Sequence, residues 1–402
     1  MNAIGLYYLA DSNEKQKSEK EFETSASDFK NSELKYKLGE HPSIAELHIN
    51  VWKVDRGNIR LKPEVYIDFG IMTSFKVKKL CLYLPFRIEE PIDLGRLLNN
   101  KKRELCAIFN DELLPEPQKN GCYCKVKFED NVNNEYFYLY ELGGGNITVA
   151  PFVEKSKKGT YVTLEMKGNP SDAKDDNSFL NEKRYIRFRV KVKDRKDICI
   201  TSHISNDLLQ AAFSMSDYYD IRINEKREIP DKVKEYMQSN KFDLCKFNKV
   251  HLFYMADSRE NIENESSLKC DSRLLEACQW QAYEPQTEID KPIFIAHHWK
   301  RRADKEKDGG IEPSNIINSF SVFFSTIYPC LSWVRLLIYV FVVILLGWFG
   351  SMLTFEFSKL KSSELNIDNI CFGLIVLMAL IVILYVLKTN FIIKPFHISR
   401  RR

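Results

Sequence analysis

Short runs rich in β-branched and aromatic residues, several of them alternating with polar positions, dominate residues 1–310 and predict β-strands. We expect eight strands: Glu46–Val54, Ile59–Ile71, Phe75–Leu84, Tyr123–Phe128, Glu135–Tyr140, Tyr161–Met166, Tyr185–Lys193 and Ile198–His203. Fewer stretches favour helices, around Leu94–Phe109, Asn206–Tyr219, Pro230–Asn240 and Ser272–Tyr283. The pattern predicts an α+β fold whose larger part is β-rich.

Two uncharged runs near the C-terminus, Leu336–Phe355 and Ile370–Leu387, predict a transmembrane hairpin over residues 335–388. A helix of about twenty residues spans roughly 30 Å, the thickness of a bilayer core. Basic residues precede the first run and follow the second, in a tail over residues 389–402, so both termini are expected in the cytoplasm of a multi-pass membrane protein. Three glycines would allow close packing of these helices: Gly347, Gly350 and Gly373. A pair of buried core helices is the alternative.

Residues 311–334 precede the first uncharged run and carry apolar residues spaced by three and four. This spacing predicts an amphipathic helix over Ser314–Tyr328, lying at the inner membrane surface. The last helix of the β-rich region is the alternative interpretation.

A repeated pattern indicates an internal duplication. The sequence LYYLADS at residues 6–12 recurs as LFYMADS at residues 252–258, and a Trp-Lys pair follows each copy, at Trp52 and at Trp299. If the repeat is real, residues 1–245 form a sensor domain and residues 246–310 form a second, shorter unit related to it. A chance match of seven residues is the alternative.

Composition narrows the function classes. The 402 residues include 59 Lys and Arg against 55 Asp and Glu, a net charge of +4, and their 12% aromatic content argues against wholesale disorder. The cysteines before the first uncharged run lack the spacing of a disulfide framework, which favours a reducing compartment. No phosphate-binding loop, GxSxG or HExxH motif occurs, and Cys122 and Cys124 have no second pair to complete a zinc site. We therefore expect no catalytic residues, no cofactor and no metal.

The strongest polar signal is YIRFRVKVKDR at residues 185–195. On a strand its apolar side chains fall on one face and its cations on the other, at intervals of about 6.6–7 Å that approximate the phosphate spacing of an extended single strand. We expect the cationic face to bind oligonucleotide phosphates, with a tyrosine as a stacking surface. The residues concerned are Tyr185, Arg187, Arg189, Lys191, Lys193 and Arg195. A solvated strand whose cations pair with acidic neighbours is the alternative.

A second basic site precedes the uncharged runs: His298, Trp299, Lys300, Arg301 and Arg302. Contact with lipid headgroups explains it as well as ligand binding does.

The order of these parts resembles the membrane effectors of bacterial nucleotide-signalling antiphage systems, above all the membrane effector of the Hailong system. The resemblance implies a homotetramer in the bacterial inner membrane whose helices form a gated ion-conducting pore and cause abortive infection. It also implies that a single-stranded DNA oligomer, made by a partner nucleotidyltransferase, binds the β-rich region. A membrane-tethered adaptor whose β-rich region binds a protein partner is the alternative.

Overall fold

The fold is taken from a computed structural model of the chain. It describes residues 3–10, 44–54, 63–109, 111–117, 122–129, 135–143, 145–155, 157–167, 182–203, 214–275, 280, 283, 293–303, 316–329 and 333–359. The chain divides into two compact units, Met1–Cys199 with Tyr219–Ser325, and Ile200–Tyr218 with Thr326–Arg402. The candidate site lies in the first unit.

Strands make up most of the described residues, which confirms the β-rich part of the expected fold. In chain order they are β1 Gly5–Ala10, β2 Ile44–Val54, β3 Glu64–Ser74, β4 Val77–Leu84, β5 Ile92–Asp93, β6 Leu113–Pro117, β7 Tyr123–Phe128, β8 Tyr136–Tyr140, β9 Ile147–Glu154, β10 Lys157–Glu165, β11 Lys183–Lys191, β12 Cys199–His203, β13 Ser214–Ile223, β14 Asp243–Leu244, β15 Lys246–Asp257, β16 Asn261–Asn264, β17 Cys270–Leu274, β18 Phe294–Arg302 and β19 Phe320–Pro329. Each of the eight predicted strands overlaps one of these.

Four α-helices are described alongside the strands: α1 Gly95–Asn100, α2 Lys102–Phe109, α3 Asp231–Ser239 and α4 Trp333–Lys359. The helices predicted over Leu94–Phe109 and Pro230–Asn240 are confirmed. Pro230 directly precedes α3, where its missing N–H costs no helical hydrogen bond.

Three sheets contain the strands. The largest has ten strands in the order β17-β18-β15-β2-β3-β11-β8-β7-β6, with β5 beside β11. Its pairs are antiparallel except β15 with β2 and β11 with β8, which are parallel. A five-stranded sheet has the order β14-β1-β4-β10-β9, and a four-stranded sheet the order β12-β13-β19-β16.

Side chains alternate between the two faces of the ten-stranded sheet, and different elements cover each face. On one face Ile49, Phe69 and Leu252 pack in a core shared with residues of the five-stranded sheet such as Leu82. On the opposite face Trp52 packs in a second core with residues of α1 and α2. The candidate site lies on this second face.

Three predicted helices overlap strands. The expectation of an amphipathic helix over Ser314–Tyr328 is wrong, because Phe320–Pro329 forms β19. Along it Phe320, Val322 and Phe324 are buried while Ser321 and Phe323 are exposed, a period of two that only a strand produces. The helices predicted over Asn206–Tyr219 and Ser272–Tyr283 likewise overlap β13 and β17.

The predicted transmembrane hairpin needs correction. Within the described part of the chain, no helix is both long enough and apolar enough to cross a membrane. This finding contradicts the predicted two-helix hairpin, and with it the multi-pass inner-membrane location and the ion channel that were inferred from the hairpin. In α4 the Ser351 and Thr354 hydroxyls donate to the carbonyls of Gly347 and Gly350. The second run, Ile370–Leu387, lies outside the described residues.

The two copies of the proposed repeat have different pairing. The strand of the first copy, β1, pairs with β4 and β14 in the five-stranded sheet. The strand of the second copy, β15, pairs with β2 and β18 in the ten-stranded sheet. Trp52 and Trp299 also pack in different cores, so the two copies differ in both strand pairing and packing. A boundary at residue 245 would divide the central strands of one sheet.

Candidate functional site

The second face of the ten-stranded sheet carries an unusual number of polar side chains on its central strands. The register aligns Glu46 with Met72 and Lys249, and His48 with Gly70 and His251. Two residues before Gly70 on β3, and on the same face of the sheet, Asp68 is paired with Arg189 of β11. These polar positions fall into two groups that differ in what covers them.

The first group is a closed network centred on Asp68, which we call the Asp68 network: Asp68, Arg187, Arg189, Trp52 and Tyr283. The Asp68 carboxylate accepts from Arg189 Nε at 2.5 Å and Nη2 at 3.0 Å, from Trp52 Nε1 at 2.8 Å and from the Tyr283 hydroxyl at 2.9 Å. Arg187 Nε donates to the Tyr283 hydroxyl. Each partner satisfies a charge that would otherwise be buried alone, so the network is a structural unit.

Burial and charge oppose each other at Asp68. Burial alone would raise the pKa of the carboxyl, but the guanidiniums of Arg189 and Arg187 lower it below its ordinary value. Asp68 has no solvent exposure, and Trp280 and Tyr283 pack against Trp52 on the same face. The network is therefore sealed and ionised.

The predicted row of phosphate-binding cations does not form one accessible surface. Tyr185 and Arg187 are fully buried, and Arg189 is 6% exposed. Arg187 Nη1 donates to the Tyr185 hydroxyl at 2.7 Å, and Lys191 Nζ lies 3.0 Å from Glu64. Of the row, Lys193 is exposed and Arg195 is half-buried. The acidic neighbours of the alternative interpretation are present at both Asp68 and Glu64.

The second group lines an open cavity of about 840 Å³, which we call the His251 cavity. The end of α2, the strands β15, β17 and β18, and parts of β7, β8 and β11 form its walls. Its charged lining residues are Lys183, Lys249, Arg273, Lys300 and Arg302 against Glu46, Asp111, Glu135 and Asp271. Its phenylalanines are Phe109, Phe128, Phe137 and Phe253. The cavity thus combines cations with aromatic surfaces.

Glu46 links two neighbouring strands at the floor of the cavity. Its Oε1 lies 2.6 Å from Lys249 Nζ and 3.4 Å from His48 Nε2. Burial would raise the pKa of Glu46, but His48 and Lys249 together lower it well below its ordinary value. Glu46 is consequently a carboxylate at neutral pH.

Two histidines and a phenylalanine stack above this floor. His251 Nδ1 lies 2.7 Å from His298 Nε2, and the His298 ring stacks on Phe253 with centroids 4.1 Å apart. Burial, together with nearby cations, lowers the pKa of His251 to about 2 and that of His298 to about 4. Both rings are therefore neutral at pH 7, able to stack and to offer a nitrogen lone pair.

The second predicted basic site is divided by strand alternation. His298, Lys300 and Arg302 line the His251 cavity. Trp299 points into the opposite core, with no exposure, and Arg301 is exposed but does not line the cavity. Of the glycines predicted to pack helices, Gly347 and Gly350 have open space around them, and Gly373 lies outside the described residues.

Sequence reasoning missed Glu46, His48, Lys249, His251 and Phe253. The pairs Glu46-x-His48 and Lys249-x-His251 each place two polar side chains on one strand face, a signal that is readable from the sequence. What the sequence does not show is that β2 and β15 lie side by side, because 203 residues separate Glu46 from Lys249.

Comparisons with known proteins do not assign the chain to a family. No protein-family model matches it, and no curated protein shows significant similarity to it.

Proposed function

We propose that the first unit is a binding module for a short single-stranded oligonucleotide, which it holds in the His251 cavity. The observation that carries the proposal is that one cavity of about 840 Å³ presents both cations and aromatic rings. Its volume falls within the range of about 300–1,000 Å³ that is common for ligand sites. Phosphates and bases together require these two kinds of surface.

The cations at the open side of the cavity supply the phosphate contacts. Lys300 and Arg302 project from alternate positions of β18, about 6.6–7 Å apart along a strand. Lys300 Nζ lies 3.9 Å from Asp271, whose closer partner is Lys269 at 2.6 Å, so Lys300 is only loosely paired. Arg302 is exposed, and its planar guanidinium suits bidentate contact with phosphate.

Aromatic rings supply the stacking surface. Phe253 lies in the cavity wall with His298 stacked on it, and Phe109 and Phe128 lie in other parts of the wall. Stacking of one base on such a ring contributes about 1–3 kcal/mol and depends little on which base it is. Because His251 and His298 are neutral, they add polar contacts without adding charge.

This proposal keeps the oligonucleotide ligand expected from the sequence but moves it from the cationic strand to the cavity. The pore is not part of it. The antiphage role, the partner nucleotidyltransferase, the tetramer and the adaptor alternative stay predictions.

Charge reversal on β18 tests the site. A short fluorescently labelled oligothymidylate is titrated with the full chain, and anisotropy gives the dissociation constant. Lys300→Glu with Arg302→Glu should weaken binding at least about tenfold, or about 1.4 kcal/mol, and should reduce the dependence of affinity on salt concentration.

The matched control is Arg301→Glu. It reverses one positive charge on the same strand, on a side chain outside the cavity, so affinity should stay close to that of the unmodified chain. Equal loss in the control and the double variant would contradict the cavity as the site, as would absence of binding by the unmodified chain. Full competition by a mononucleotide would reduce the ligand to a single nucleotide.

A further inference from the structure

We infer that Glu46, His48 and His251 form a binding site for a divalent transition-metal ion, Zn²⁺ by the chemistry of the ligands, at the floor of the His251 cavity. The inference goes beyond oligonucleotide binding and does not depend on it, because these three side chains supply neither the phosphate contacts nor the stacking surface proposed above, and the ion needs no nucleotide.

The ligand atoms have almost the spacing that such an ion requires. One carboxylate oxygen of Glu46 and one ring nitrogen each of His48 and His251 lie within 4.8 Å of one another. Bonds of about 2.0–2.1 Å in a tetrahedral site place neighbouring ligand atoms about 3.3 Å apart. Glu46 Oε1 and His48 Nε2 are 3.4 Å apart, which is long for a hydrogen bond but suits two ligands of one ion.

His251 provides an independent observation. Its side chain is 9% exposed, and its Nε2 finds no hydrogen-bond partner among the residues that the structure describes. A buried polar atom without a partner is costly unless something binds it. A metal ion would satisfy this nitrogen.

The outer hydrogen bonds match those of metal-binding histidines, which usually donate their second N–H to a neighbour. His251 Nδ1 lies 2.7 Å from His298 Nε2, and with Nδ1 as the donor the Nε2 lone pair is free for an ion. His48 Nδ1 lies 3.3 Å from the Tyr185 hydroxyl. Both rings are thus oriented by groups outside the proposed coordination sphere.

The backbone holds these ligands in place before any ion binds. Glu46 and His48 are alternate residues of β2, and His251 is the cross-strand partner of His48 on β15. Both strands lie in the interior of the ten-stranded sheet. Sites built on such strands are more precise than sites built on loops.

Two imidazoles and one carboxylate, with one side facing a cavity, are the donors of many open zinc sites. The same donors also bind Fe²⁺, but divalent affinities rise towards Cu²⁺ and Zn²⁺ in the first transition row. A fourth position would be open to the cavity, where water or a ligand phosphate could bind.

One charge opposes the ion directly. Lys249 Nζ lies 2.6 Å from Glu46 Oε1 and must move away from the carboxylate when a cation binds there. Arg187 also acts on His48 electrostatically from the neighbouring network. Removal of the Lys249 charge should therefore strengthen metal binding, the opposite of its effect at an ordinary ion pair.

The test is calorimetric titration of the full chain with Zn²⁺ alone, after treatment with EDTA and dialysis. We expect one ion per chain, at least about a hundredfold weaker binding in Glu46→Gln and in His251→Asn, and tighter binding in Lys249→Met. His297→Asn is the matched control, because His297 lies next to His298 on β18 but is bonded to Ser272 outside the cluster. Its affinity should not change.

Co²⁺ provides a readout that needs no variant. Tetrahedral nitrogen and oxygen ligation gives strong visible absorption, whereas a loosely bound ion keeps the weak spectrum of the hydrated ion. The hydrated spectrum, or unchanged Zn²⁺ affinity in folded Glu46→Gln and His251→Asn, would overturn the site. Oligonucleotide binding measured with EDTA present is a separate result, so failure of one proposal is distinguishable from failure of the other.

Discussion

The Asp68 network and the His251 cavity share one face of one sheet, yet they have different environments. Around Asp68, Trp52, Trp280 and Tyr283 exclude solvent, and the carboxylate has four donor contacts of 3.0 Å or less. Around His251 the covering elements separate and leave about 840 Å³. There a ring nitrogen has no partner among the described residues, and Lys300 is only loosely paired.

The comparison shows that the identity of polar residues on a strand does not decide their role. Arginines of the closed region are satisfied within the protein and stabilise it. Cations of the open region keep unused hydrogen-bonding capacity, which a ligand can take up. The difference between the two regions is whether other side chains cover this face of the sheet: Trp280 and Tyr283 cover the Asp68 network, and an open cavity lies over His251.

The largest expected effect is on stability, from Asp68→Asn. The change leaves Arg187 and Arg189 buried without a full counter-charge, which should cost about 3–5 kcal/mol of unfolding free energy. Urea denaturation followed by circular dichroism measures this loss. Glu46→Gln, in the open region and free of metal, should cost less, because the side chain of its partner Lys249 is 26% exposed and stays partly solvated when the pair is broken. Equal losses would contradict the distinction between the regions.

Removal of the cover should have the next largest effect. Trp280→Ala deletes a ring that is 3% exposed and packs against Trp52 and Tyr283, so we expect a loss of about 3 kcal/mol. Thermal or urea unfolding measures it. Oligonucleotide affinity should stay unchanged in the folded variant, and a parallel loss of affinity would show that the two regions are coupled.

Acid should weaken the closed region through Asp68. Because the folded-state pKa of Asp68 is lowered, its contribution is complete above the unfolded pKa of about 3.9 and is lost as the pH falls through the folded value. Each unit of lowering corresponds to about 1.4 kcal/mol. The stability gap between the unmodified chain and Asp68→Asn should therefore narrow below about pH 4 in a urea series. A gap independent of pH would contradict an ionised Asp68.

The smallest expected effect belongs to the open region. Phe253→Ala removes the ring that stacks on His298 and should weaken oligonucleotide binding by about 1–3 kcal/mol, with a smaller loss of stability than Trp280→Ala. Fluorescence anisotropy measures the affinity. Tyr236→Ala, which removes an exposed ring of α3 outside the cavity, is the control and should bind normally.

Much of the sheet could be predicted from local patterns. The runs around Trp52, Phe128 and Arg187 are strongly β-branched or aromatic, and local preference agrees with the strands found there. The same rule failed at Phe320–Pro329, where apolar residues fit a spacing of two as well as a spacing of three and four. Periodicity alone does not separate these cases in so short a run.

The candidate site could be predicted only in part. Charge alone predicts a basic site at His298, Lys300 and Arg302, and these three side chains do line the cavity. Charge alone also predicts a ligand for Arg189, but its partner is Asp68, 121 residues away in the sequence. The cationic face of β11 therefore predicted an external anionic ligand, whereas the counter-ion of Arg189 is a carboxylate of the same chain. Glu46, His48 and His251 meet only through pairing of β2 with β15, which no local pattern encodes.

The parallel pairing of β2 with β15 also constrains the order of folding. On the ribosome β2 emerges about 200 residues before its partner, so one side of β2 stays an open sheet edge for about half of the synthesis of the 402-residue chain. Such an edge, in a strand with the apolar positions Ile49 and Val51, is prone to pair with other chains. A fragment that ends before Lys246 would keep that edge and lack half of the cavity floor, and a fragment that begins there would lack the other half.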